Sequence, residues 1–315
     1  MSAVVVATAY GGPEVLSVVD EPIGSPGPGE VRIDVRAAAT NPADYKFYSG
    51  LFGTDPANLP LRLGFEVSGV VTEVGEGAEG PAGPISVGDE VIGYSVNGGY
   101  AAELVAPGSS VLPKPATLSF EQASGLLLSG VTAVHTLVAT SVSAGDTVVI
   151  HGAAGGVGLM AVQLAVAKGA RVIGTASERR HDFLRQLGAE PVTYGDGLED
   201  RIRALAPDGV DAAIDMVGTD EAVEVSLALV ADRNRIATIA AFGRALNDGI
   251  KLLGGGPGAD PGTDIRDNAR LDLVRQAEAG KLRAFVAASF PFAQVADAHR
   301  LLMTGHADGK IVLTP

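Results

Sequence analysis

The residues best placed to do chemistry in this chain are glycines. The run His151-Gly-Ala-Ala-Gly-Gly-Val-Gly158 sets Gly152, Gly155 and Gly158 three apart. A glycine takes the backbone conformation of a tight turn and lets the main chain come close to a diphosphate. Free N–H groups at the start of a following helix then receive the anion, helped by the helix dipole. An apolar strand, 147–151, precedes the run and an apolar helix, 159–168, follows it. That setting favours a nucleotide turn over a ligand-free glycine-rich turn. Gly152, Gly155, Gly156 and Val157 are therefore candidate diphosphate ligands. Gly158 is expected to let the helix pack close to the sheet.

The next strand, 171–176, ends in Ser177-Glu-Arg-Arg180. In an NAD site an acidic residue about 20 positions past the glycines takes the ribose hydroxyls. That slot falls near Ser177. Ser177 with Arg179 and Arg180 suits a 2′-phosphate and hence NADP, while Glu178, one residue away, is the competing signal for NAD. Cations are unfavourable at a helix N-terminus, so a phosphate partner explains the two arginines better than a solvated first turn does. The charge logic favours NADP.

Elements that must carry these residues follow from periodicity. Val31, Ile33 and Val35 alternate with Arg32, Asp34 and Arg36, the pattern of a half-buried strand. With further strands at 67–74, 90–94 and 100–105, residues 1–115 read as an antiparallel barrel or sandwich. Ser119 and Gln122 fit a capping box, with a helical stretch up to Gly130. From 147 onward strand and helix alternate: strands at 171–176, 212–215 and 235–240, helices ending at 187–188 and spanning 221–230. This predicts a doubly wound parallel sheet. An Asp/Asn-rich segment, 264–268, leads into a helix closed by Gly280. A strand at 283–288, a helix at 295–303 and a strand at 311–313 follow, and periodicity alone assigns them to neither part.

Composition bounds the rest. The chain has 315 residues, 46% hydrophobic and 19% charged, with mean hydropathy +0.26. This is globular composition of about two domains. The net charge is −14, with −9 in residues 1–120 and −5 beyond. Such acidity argues against nucleic acid and anionic membranes as partners. No run of about 18 apolar residues is present, so no membrane helix is expected. The start MSAVVVATAYGG lacks a basic leader, and a cytoplasmic protein is expected. With no cysteine, disulfides, thiolate nucleophiles and Cys-based zinc sites are excluded.

Several further stretches carry a family likeness: Asn41-Pro-Ala-Asp-Tyr-Lys46, Gly64-Phe-Glu-Val-Ser-Gly-Val-Val71, Val87-Gly-Asp-Glu-Val91, Gly99-Tyr-Ala-Ala-Glu103, Gly130-Val-Thr-Ala133, the glycine run, Asp215-Met-Val-Gly218 and Gly309-Lys-Ile-Val-Leu313. Over nearly its whole length the chain resembles the medium-chain dehydrogenase/reductase superfamily, in its zinc-free quinone oxidoreductase branch. Zinc-dependent members bind the metal through cysteines and the histidine of a Gly-His-Glu motif. Here the motif reads Gly64-Phe65-Glu66, and phenylalanine cannot ligate zinc. The five histidines show no ligand spacing and read as surface or packing residues.

The resemblance implies a GroES-like catalytic domain, 1–120 completed by 280–315, and a Rossmann domain, 121–279, with NADP(H) in the cleft between them. It also implies a homodimer. Residue by residue, it sets Asn41 against the nicotinamide ribose and Thr132 near the nicotinamide. It puts Arg180 and Tyr194 on the 2′-phosphate, and Ala240 to Phe242 beside the nicotinamide. Lys46 stands where well-known bacterial quinone reductases carry a tyrosine.

Lacking zinc ligands, the chain loses the usual support for an alkoxide. Reducing a quinone or the C=C of an α,β-unsaturated carbonyl needs less: one or two donors for the charge on oxygen, then a proton. Lys46 is the first candidate donor and Tyr45 the second. Asp44 is expected to be a structural acceptor, and Tyr48, Tyr94 and Tyr100 either line the cleft or pack. Two other readings stay open: a non-enzymatic NADPH-binding protein, and an enoyl-thioester reductase of a biosynthetic pathway.

Overall fold

The computed structural model describes residues 1–315. The chain divides into two compact units, residues 1–128 with 270–315, and residues 129–269.

In the first unit Val31, Ile33 and Val35 are buried and their polar neighbours are not, as the alternation requires. Their strand, Glu30–Ala39, pairs antiparallel with Glu66–Val74, Glu103–Pro107 and Lys310–Thr314. The sheet continues through Glu90–Tyr94 to Val111–Pro113 on one side, and on the other from Lys310–Thr314 to Val286–Pro291. Those last two strands run parallel. A three-stranded sheet of Leu16–Glu21, Ser2–Ala7 and Leu61–Arg62 completes this GroES-like unit. The core between them includes Val5, Ile33, Tyr48, Val67, Tyr100, Ile311 and Leu313.

The second unit is a six-stranded, all-parallel sheet. Its spatial order is Ala189–Val192, Arg171–Thr175, Thr147–His151, Ala212–Asp215, Ile236–Thr238 and Lys251–Leu252. This is the Rossmann order. Thr147–His151 is the strand at which the order reverses, and in such sheets ligands bind beyond the carboxyl end of that strand. Its residues Val148 to His151 are all buried, as a strand covered on both faces demands.

Some local expectations give way. Residues 41–48, to which the sequence reading assigns no element, form one: Pro42–Tyr48 is a helix with proline in its first turn and a capping box between Asn41 and Asp44. The helix Leu127–Ala139 passes through Gly130, because packing outweighs the roughly 1 kcal/mol cost of one glycine. The acidic stretch 264–268 lies inside the helix Thr263–Glu278. The strand expected from residue 100 begins at Glu103, since Tyr100 donates its N–H to Leu63 instead. Ser119 and Gln122 do cap Phe120–Ser124 reciprocally.

Candidate functional site

The glycine run forms a turn closed on its own backbone. Gly152 has φ +73°, and its N–H donates to the Thr175 hydroxyl at 3.1 Å. Ala153 N–H donates to Thr175 O at 3.0 Å, and Gly155 N–H to Gly152 O at 3.0 Å. Gly155 is the extended N-cap of the helix Gly156–Ala167, and no side chain caps it. The first helical amides, of Gly156, Val157 and Gly158, thus have no intrahelical acceptor. The turn contains no acidic side chain, so bare amides at a helix start face whatever occupies it. This donor set fits a diphosphate. Gly158 is required for a close approach of its helix. A Cβ there would lie 2.2 Å from Gly152 O and 2.8 Å from Ala153 Cα, so the helix is pressed against the turn itself.

Two neighbouring strands deliver the basic residues. Thr175 and Val192 are register partners in the parallel pair, and Ala176 N–H donates to Val192 O at 3.0 Å. Ser177 to Arg180 and Tyr194 therefore leave the same edge of the sheet. Ser177 precedes the turn Glu178–Arg180, and Arg180 N–H donates to Ser177 O. Glu178 and Arg179 are exposed. Arg180 is half-buried, its guanidinium 4.3 Å from the Phe183 ring centroid. Tyr194 is 49% exposed.

A buried knot, not anticipated from sequence, shapes the other side of that edge. Asp215 accepts the N–H groups of Val217 and Gly218 on one oxygen, both at 2.9 Å, and the Thr238 hydroxyl on the other at 2.7 Å. Thr238 in turn accepts the N–H groups of Ala240 and Ala241. This fixes the backbone that carries Ala240 and Phe242. Gly218, at φ +84°, passes so near Ala240 that a Cβ would lie 2.8 Å from the alanine methyl. The run Asp215-Met-Val-Gly218 at a strand end was the available signal. His151, the register partner of Asp215, is buried, and burial pushes its imidazole down to about 4, so it is neutral at pH 7.

In the first unit, the helix Pro42–Tyr48 groups the remaining candidates. Asp44 is the structural acceptor expected of it. It takes the N–H groups of Asn41 and Gly64 and the Tyr100 hydroxyl, at 2.8, 3.0 and 2.8 Å. Burial nonetheless pushes its carboxyl up to about 6, against the pull of Tyr100 and the two amides. Tyr48 and Tyr100 are wholly buried and Tyr94 nearly so, and all three pack. Tyr48 pairs with His299 Nδ1 at 2.9 Å.

Asn41 is 2% exposed and held by its neighbours. Its amide nitrogen donates to Ala39 O at 3.3 Å and Glu66 Oε1 at 3.1 Å, and its oxygen accepts from Lys310 Nζ at 2.7 Å. Lys310 also reaches Glu66 Oε1 at 2.8 Å, and Glu66 Oε2 accepts the Leu128 N–H at 2.9 Å. The Glu66–Lys310 pair spans 244 positions, beyond any local pattern. Tyr45 packs on the core. Lys46 is half-buried, and burial lowers its ammonium below the usual lysine range. Beside it in sequence, Phe47 contacts the rings of Phe52 and Phe65 at 5.2 and 5.5 Å. Thr132 is buried in the helix Leu127–Ala139. No group of three or more His, Asp or Glu side chains is arranged to hold a metal. No helix is long and apolar enough to cross a membrane.

Comparison with known proteins agrees with this architecture. An alcohol dehydrogenase GroES-like domain matches residues 27–116, and a zinc-binding dehydrogenase family matches 156–253. A quinone oxidoreductase of Pseudomonas aeruginosa is 35% identical, over 98% of this chain and 98% of its own. A chloroplastic NADPH-dependent alkenal/one oxidoreductase of Arabidopsis thaliana is 33% identical, over 91% of this chain and 72% of its own. The solved structure of an Escherichia coli quinone oxidoreductase complexed with NADPH superposes with a TM-score of 0.85 at 27% identity, covering 99% of this chain and 100% of that one. The chain belongs to the medium-chain dehydrogenase/reductase superfamily, in the branch of its quinone oxidoreductases.

Proposed function

We propose that this protein is an NADPH-dependent oxidoreductase that reduces a quinone or the C=C of an α,β-unsaturated carbonyl. The observation that carries the reading is the uncapped glycine turn at the strand where the parallel sheet reverses its order. The E. coli relative with bound NADPH and the alkenal/one reductase support the cofactor and the substrate class. NADPH supplies a hydride when bound.

Gly152, Gly155, Gly156 and Val157 are assigned to its diphosphate. Ser177, Arg179, Arg180 and Tyr194 are assigned to the 2′-phosphate. Asn41, Thr132, Ala240 and Phe242 are assigned to its nicotinamide half. As negative charge develops on the substrate oxygen, a donor from this chain stabilises it and a proton follows. Lys46 is the first choice for that donor, because partial burial weakens its hold on the proton. Tyr45 is the second. The phenylalanines next to Lys46 offer an apolar wall that suits a ring or alkenyl chain. The resemblance extends the proposal to a cytoplasmic homodimer.

The test is turnover of NADPH and NADH on a quinone, an enone and an enoyl thioester. Turnover with NADPH on the first two is expected. Arg180→Ala should raise the KM for NADPH about ten- to a hundredfold, the worth of one charge-assisted hydrogen bond, and leave NADH nearly unchanged. Equal losses for both coenzymes would contradict the 2′-phosphate assignment. NADPH binding without turnover on any substrate would make the chain a binding protein instead.

A further inference from the structure

Thr132 and His135 lie three residues apart on one face of the helix Leu127–Ala139. Both meet Arg266, from the helix Thr263–Glu278. Its Nη1 donates to Thr132 Oγ1 at 3.0 Å and its Nε to His135 Nδ1 at 3.3 Å. A guanidinium has donors and no acceptor. The Thr132 oxygen can therefore only accept from it, and His135 must present Nδ1 as a lone pair and carry its proton on Nε2.

The surroundings agree with that tautomer. His135 Nε2 faces the Asp260 carboxylate at 3.5 Å, and burial lowers the imidazole pKa so that the ring is neutral. Asp260 also accepts the Gly262 N–H at 2.9 Å. Gly262, at φ +56°, lies against the ring: a Cβ there would come within 2.3–2.6 Å of Cε1, Nε2 and Cδ2. The histidine is thus wedged, and it steadies the arginine. At the far end, Thr132 is 6% exposed and its oxygen is taken by Arg266, while the chain supplies no acceptor for its own hydrogen. A buried hydroxyl with an unspent proton is costly unless a ligand accepts it.

We infer that Arg266 is a positioning residue that holds Thr132 as a hydrogen-bond donor to an acceptor oxygen at the nicotinamide end of the bound dinucleotide. This rests on the NADPH reading above. It predicts where in the ligand the effect falls, which a purely structural arginine would not do.

The experiment measures equilibrium binding of two probes by calorimetry: NADPH, and adenosine 2′,5′-bisphosphate, which lacks the nicotinamide end. Thr132→Val and Arg266→Met should each raise the Kd for NADPH about three- to tenfold, the range of one hydrogen bond. Both should bind adenosine 2′,5′-bisphosphate as the parent does. Thr132→Ser should bind NADPH like the parent. The double variant should lose no more than either single one, because the arginine acts through the threonine. The inference is overturned if the single losses multiply, if both probes weaken alike, or if NADPH binding does not change. Should Arg266→Met fail to fold, Arg266→Gln takes its place in the same single and double comparison, with the same loss expected for NADPH and none for adenosine 2′,5′-bisphosphate. If the parent binds neither probe, the NADPH reading itself fails.

Discussion

Gly158→Ala is expected to weaken NADPH binding about ten- to a hundredfold while the protein still folds. The added methyl would sit 2.2 Å from Gly152 O, 2.8 Å from Ala153 Cα and 2.9 Å from Ala153 C. These are backbone atoms, so no side chain can swing aside. The turn must open or the helix Gly156–Ala167 must shift. Overpacking of this kind costs roughly 1–3 kcal/mol, and each 1.4 kcal/mol is about tenfold in affinity. The strain falls on the segment whose amides are assigned to the diphosphate, so the loss appears in binding. Gly155→Ala separates the two costs. Its Cβ would come no nearer than 3.4 Å to any atom, at φ −79°, so any loss of affinity there comes from space taken from the ligand. Fluorescence titration with NADPH, with far-UV circular dichroism as a control for folding, reads both variants. Unchanged affinity in Gly158→Ala would mean that the diphosphate is held elsewhere.

Lys310→Met should be the most destabilising single substitution in the first unit. It leaves the Glu66 carboxylate, which has no exposed surface, without its cationic partner. Breaking a buried pair from one side typically costs about 3–5 kcal/mol, whereas replacing both charges is often close to neutral. A loss of roughly 10 °C in Tm is expected. The double variant Lys310→Met/Glu66→Gln should recover most of it, since the glutamine oxygen still accepts the Leu128 N–H and no bare charge remains. Thermal unfolding of the two variants beside the parent checks this. A single variant as stable as the parent would show that the pair contributes nothing to the fold. The same substitution frees the Asn41 amide, which Lys310 and Glu66 hold from both ends, so it ties stability to one of the residues assigned to the cofactor.

What was legible in the sequence was local. The alternation of Val31, Ile33 and Val35, the reciprocal pair Ser119 and Gln122, and the strand–glycine–helix order around 151–158 each depend on neighbours within a turn or a strand. Short-range geometry sets them, and periodicity reads them. The helix Pro42–Tyr48 was within reach: Asn41, Pro42 and Asp44 are an N-cap, a first-turn proline and a capping-box acid, but seven residues are too few to show a helical period. Other features were out of reach because they are made by chain crossing. Lys310 meets Glu66 only after the C-terminal strand joins the first unit's sheet, and Thr238 meets Asp215 only because their strands are adjacent and parallel. Arg266 gave no signal at all. Its role depends on two donors reaching one face of a helix more than 130 positions earlier.

The most direct measurement is a calorimetric titration of the unaltered protein with NADPH. Binding of one molecule per chain, stronger than that of NADH and weakened in Gly158→Ala, is the result expected if the bare amides after Thr147–His151 seat a diphosphate. No heat at ligand concentrations well into the millimolar range would show that the turn is only a turn, and the oxidoreductase reading would fall with it.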